Sequence, residues 1–84
     1  MSKDAFREAL TSHVIRLLRE ERERRGISMN VLAQRSGLAQ STVSRIENEL
    51  RTPSLDTLLR IAEVIGIKLE HIIAAARQDA SRRK

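Results

Sequence analysis

The chain has 84 residues, 40% of them hydrophobic and 32% charged, with 16 Lys and Arg against 11 Asp and Glu. That length fits one small domain, read as a single unit over residues 1–84, which can bury a little over ~60% of its unfolded surface. The absence of cysteine excludes a disulfide scaffold, a thiolate metal site and a cysteine nucleophile. The net charge of +5 suits an anionic partner. The single aromatic residue, Phe6, argues against stacking of unpaired bases.

Gly26, Gly37, Gly66 and Pro53 divide the chain into helical segments. The first is expected from about Asp4 to Arg25, with Phe6, Leu10, Val14, Leu17 and Leu18 on one face. Asp4 and Glu8 stand early in it and Arg24 and Arg25 late, as the helix dipole favours. Ser28 is placed to cap a short second helix, Met29 to Ser36, closed by Gly37. A third helix is expected from Gln40 to about Glu49, with Val43 and Ile46 inward and a short-chained polar face outward. Leu50 to Pro53 reads as a loop. Ser54 caps a fourth helix, Leu55 to Ile65, with Leu58, Ile61, Ala62 and Ile65 as its stripe. A fifth begins near Lys68 or Leu69 and carries Leu69, Ile72, Ile73 and Ala76. Residues 1–12 read as an extra N-terminal helical extension, and residues 78–84 as a frayed basic tail. The class is all-α, a compact five-helix domain.

Residues 28–49 carry the functional signal. A helix-turn-helix joins two short helices at a steep angle through a tight turn. A small residue is needed where the helices approach, and Ala33 supplies it. The turn needs a residue tolerant of positive φ, and Gly37 supplies that. Leu32, Leu38, Val43 and Ile46 are spaced to lock one helix onto the other.

With these residues in place, the chain resembles the lambda-repressor-like helix-turn-helix family, the Cro/repressor type also called XRE. The resemblance covers roughly Val14 to Ile73. It rests on Arg22, Gly26-Ile27-Ser28, Leu32-Ala33, Gly37, the run Ser41 to Glu47, Pro53-Ser54-Leu55, and Leu58 to Ala62 followed by Gly66. It implies a DNA-binding transcription regulator whose third helix enters the major groove of double-stranded DNA. Gln40, Ser41, Ser44 and Arg45 then fall on base edges, where Gln suits adenine and Arg suits guanine. Ser28, the Met29 amide, Thr42, Asn48 and Arg51 fall near phosphates, which position the protein without specifying sequence. Arg22 and Glu47 match a structural ion pair between the first and third helices.

The resemblance also implies a homodimeric repressor on a palindromic operator, with Leu69, Ile72 and Ile73 as the seam and Leu50 and Arg51 nearby. Three positions depart from the family pattern. Met29 stands where Gln is common, Ala39 where a Ser or Thr cap is common, and Glu49 where Gly is common. The competing reading is an antitoxin-type protein-interaction module that neutralises a toxin or other protein partner through residues 1–12 or 77–84 and autoregulates its operon. No enzyme is expected, because no paired carboxylates, metal-ligand spacing or phosphate-binding glycine loop occurs. No cofactor and no metal are expected either. His13 and His71 read as surface or packing residues. No apolar run approaches the roughly 18 residues that span a bilayer, so the expected setting is cytoplasmic, without membrane contact. The expected chain carries no ligand-sensing domain, which would leave regulation to concentration or to a partner.

Overall fold

A computed structural model describes residues 2–82. It contains five helices: α1 (Lys3–Arg24), α2 (Met29–Ser36), α3 (Gln40–Glu47), α4 (Leu55–Ile65) and α5 (Leu69–Arg82). No strand occurs among the described residues. The all-α lambda-repressor-like fold read from the sequence is the fold observed.

Local chemistry sets most helix starts. The hydroxyls of Ser2, Ser28 and Ser54 each accept a hydrogen bond, at 3.1 Å, from the amide three residues on. Each thereby satisfies one of the amides left unpaired in a first turn. α3 is the exception: Ala39 precedes it and supplies no side-chain acceptor. α2 closes at Gly37, where φ is 76° and the Leu38 amide returns to the Ala33 carbonyl at 3.0 Å. An added Cβ there would also lie 3.3 Å from Arg60 Nη1. The backbone sign therefore calls for glycine at the turn, whereas the Arg60 tip has only to shift slightly to admit a Cβ.

The core joins Val14, Ile15 and Leu18 of α1 to Leu32 and Ala33 of α2, Val43 and Ile46 of α3, Ile61, Ala62 and Ile65 of α4, and Leu69, Ile72 and Ala76 of α5. Leu32 and Val43 are fully enclosed, one from each helix of the pair. α1 packs most extensively on α5, and α2 packs on α3 and α4. The recognition pair is thus held from both sides by longer helices.

Two arginines tie helix ends together. Arg25 Nη1 donates to the Ile65 carbonyl at 2.6 Å, closing the last turn of α4. Arg60 Nη1 donates to the Ser36 carbonyl at 3.3 Å while its Nε holds Asp56 at 2.8 Å, which links α4 to the turn.

Three expectations differ from the structure. α3 ends at Glu47, not Glu49, because residues 48–50 fold back onto its last turn. α5 runs regularly through Arg82, with Ala80 buried, where the sequence suggested a frayed segment from residue 78. Arg83 and Lys84, the rest of the expected tail, lie outside the described residues. Leu69 and Ile72 belong to the protomer core, at 4% and 5% exposure, and so cannot form a seam without unpacking it. Ile73 alone of those three keeps part of its surface. His13 is buried, with Nδ1 lacking a partner, whereas His71 is exposed.

Candidate nucleic-acid interface

α3 divides cleanly. Val43 and Ile46 are buried, whereas Gln40, Ser41 and Arg45 are exposed and Ser44 is half-buried. None of the Gln40, Ser41 or Arg45 side chains makes a hydrogen bond or ion pair among the described residues. A polar face held on a rigid helix with its donors and acceptors unengaged can read an external hydrogen-bonding surface. Three of the four residues assigned to bases therefore lie together and free, and the fourth, Ser44, is half-buried with its hydroxyl beside Asn48 Nδ2.

The residues assigned to phosphates are more mixed. Arg51 is exposed and lacks a carboxylate partner among the described residues. Ser28 is exposed, and its oxygen accepts from the Val31 amide, which leaves its proton to donate outward. Asn48 Nδ2 donates to the Ser44 carbonyl at 2.8 Å, so part of its capacity closes α3. Met29 and Thr42 are half-buried, and Met29 packs against the core. A thioether has no proton to donate, so Met29 can serve a phosphate only through its backbone amide.

Arg22 and Glu47 meet as a fork. Arg22 Nε donates to Glu47 Oε2 at 2.6 Å and Nη2 to Oε1 at 2.8 Å, while Nη1 donates to the Ile27 carbonyl at 2.7 Å. Both side chains are only 9% exposed. The hydrogen bonds to Glu47 raise the Arg22 pKa above its ordinary value, against the opposing effect of burial. This pair fixes the end of α3 against α1.

The ion pairs redistribute the charge seen in the sequence. Arg16 pairs with Glu20 and Asp79, Arg19 with Glu23, and Arg24 and Arg25 with Glu21. Among the described residues, Arg35, Arg45 and Arg51 have no such partner, and they lie on α2, on α3 and just beyond it. The two acids of residues 28–51 are engaged elsewhere: Glu47 by Arg22, and Glu49 by Ser12 Oγ, which donates to its Oε1 at 2.7 Å. Arg35 was not singled out from the sequence. It is exposed and unpaired on the same two-helix unit, and only the pairing pattern distinguishes it from the arginines of α1.

The helix-turn-helix family model HTH_3 matches residues 18–72. The chain belongs to this helix-turn-helix family. Its relatives are named as regulators. It is 42% identical over 60 residues to the uncharacterized HTH-type transcriptional regulator RghRB of Bacillus subtilis, covering 70% of this chain and 43% of that one. It is 37% identical over 59 residues to the uncharacterized HTH-type transcriptional regulator Rv0474 of Mycobacterium tuberculosis, covering 70% and 42%. It is 33% identical over 57 residues to the HTH-type transcriptional regulator PuuR of Escherichia coli, covering 68% and 31%. The helix-turn-helix chain thus spans less than half the length of these relatives. No solved structure matches it. The family match begins within α1 and stops within α5, so residues 3–17 and 73–82 extend this helix-turn-helix unit at both ends. The described residues hold no helix long and apolar enough to cross a membrane and no cluster of potential metal ligands.

Proposed function

We propose that the chain is the sequence-specific double-stranded DNA-binding unit of a transcription regulator, a homodimeric repressor reading a palindromic operator. The observation that carries this reading is the unengaged face of Gln40, Ser41 and Arg45 on a buried-backed helix, together with the unpaired guanidinium groups of Arg35 and Arg51 elsewhere in residues 28–51. α3 lies in the major groove, with Gln40, Ser41, Ser44 and Arg45 toward base edges. Ser28, the Met29 amide, Thr42, Asn48, Arg51 and Arg35 lie toward phosphates and set the docking angle.

Self-complementary surface supports a second copy as the partner. Among the described residues, Leu50, Leu55 and Leu59 are the large hydrophobic side chains left exposed, at 78%, 63% and 49%. Within the same stretch, Pro53 and Leu58 line an apolar groove of about 180 Å³ with Leu10, Val14 and Ile73. A two-fold contact sets one patch of the chain against the same patch of its copy, and we assign these leucines and this groove to that patch. It keeps Ile73 from the expected seam and replaces Leu69 and Ile72 with the leucines of 50–59. Two recognition helices so related read half-sites about 34 Å apart. No observation favours an antitoxin reading: the terminal segments it would use meet each other, with Arg77 5.7 Å from the Phe6 ring.

The test is selection of sites from a random duplex pool at two salt concentrations, with sedimentation equilibrium alongside. A palindromic enriched motif and a dimer broken by Leu55→Asp with Leu59→Asp are expected. Binding without any enriched sequence would overturn the reading. A monomer at every concentration would remove the dimer from it.

A further inference from the structure

α3 closes on a residue that the closing geometry does not favour. The Glu49 amide returns to the Ile46 carbonyl at 3.0 Å and the Leu50 amide to the Arg45 carbonyl at 2.8 Å, the paired bonds of a Schellman closure. Glycine usually occupies the left-handed position of this closure, yet Glu49 holds it with φ at 59°. It is the one non-glycine residue at positive φ among the described residues. It also stands between Asn48 and Arg51, two of the residues assigned to phosphates. A carboxylate there opposes an approaching phosphate, since like charges a few ångströms apart repel even in water.

The carboxylate does not stay there unrestrained. Ser12 Oγ, 37 residues earlier on α1, donates to Glu49 Oε1 at 2.7 Å. The pair lines a cleft of about 370 Å³ between α1 and residues 49–52, with Arg7 and Arg51 also on its walls. Ser12 lies outside the segment that matches the helix-turn-helix family, so the extended α1 supplies this contact.

We infer that Ser12 is a positioning residue for DNA binding: it tethers the Glu49 carboxylate to α1 and keeps its charge from the phosphates that Arg51 and Asn48 approach. The inference rests on the DNA-binding reading above. It gives the N-terminal half of α1 a part in recognition without direct contact with the duplex. When the tether is lost, the carboxylate swings on a loop already committed to its backbone geometry, and repulsion weakens docking on every sequence alike.

Duplex affinity measured across a salt series tests this, with thermal unfolding of each variant recorded in parallel. Ser12→Ala is expected to weaken binding about three- to tenfold on all duplexes, the scale of one added repulsive charge pair. Ser12→Thr, which keeps a donor hydroxyl, restores wild-type affinity. Glu49→Gln, which keeps the acceptor and removes the charge, binds at least as tightly as wild type. Adding Ser12→Ala to Glu49→Gln then changes nothing further. A merely structural Ser12 would instead weaken binding equally in both backgrounds, and that result overturns the inference. So does a Ser12→Ala chain that binds as wild type does. A wild-type chain that retains no duplex overturns the DNA-binding reading, and this inference with it.

Discussion

The arginines of α1 and those of residues 35–51 look alike in the sequence and behave differently in the structure. α1 is the richer in positive charge, yet Arg16, Arg19, Arg22 and Arg24, and Arg25 just beyond it, each face a carboxylate. Arg35, Arg45 and Arg51 face none among the described residues. Net charge therefore says little about where an anion is attracted. What matters is which cations the fold leaves uncompensated, because a guanidinium already paired contributes little field beyond its partner.

The comparison breaks most visibly at Arg22, the one α1 arginine whose pairing is enclosed. Arg22→Ala leaves Glu47 in a nearly dry site and is expected to cost about 3–5 kcal/mol of folding stability. Denaturant unfolding checks this, and a loss below 1 kcal/mol would place the pair with ordinary surface bridges. Arg45→Ala is expected to cost ~1–3 kcal/mol of binding at one base position and to relax preference there. Arg51→Ala should weaken all duplexes alike and reduce the salt slope by about one. A randomised site library read at two salt concentrations separates the two. Identical effects would mean that reading and positioning are not divided between α3 and the residues beyond it.

On the paired side the effects should be small. Arg24→Ala removes an exposed bridge to Glu21 and is expected to leave the denaturation midpoint and the DNA salt slope nearly unchanged. A fall in that slope would show that α1 arginines reach phosphate despite their partners. The smallest effect concerns pH. The hydrogen bond from Arg24 holds the Glu21 carboxyl below its ordinary value. A carboxyl lowered on folding stabilises above its unfolded pKa, and that contribution is lost as pH falls through the folded value. NMR titration should find Glu21 ionised to lower pH in the wild type than in the Arg24→Ala chain.

Helix ends show how far the sequence could be read. Ser28, Gly37, Ser54 and Gly66 carry side-chain or backbone signals that act within four residues, and the helices they bound lie where those residues place them. The end of α3 gave no such signal, because a glutamate rarely takes a left-handed closure and the hydrogen bonds that impose it are seen only in three dimensions. The tail misled for a related reason. Ser81 and Arg82 are polar, but the helix that carries them is held by packing on α1, with Ala80 buried.

The candidate site divides in the same way. Spacing alone placed Gln40, Ser41 and Arg45 on the face opposite Val43 and Ile46, since a helix repeats every 3.6 residues. It could not tell that Asn48 turns back on Ser44, or that Leu69 and Ile72 close the protomer core. Nor could it show Ser12 beside Glu49, because a contact across 37 residues leaves no local pattern. The sequence by itself determined the helices, their order, the turn at Gly37 and the face that α3 turns outward, all consequences of chemistry within a few residues. Only the tertiary structure decided which charges remain free, which apolar residues remain on the surface and what restrains Glu49, because each depends on helices that meet only once the chain has folded.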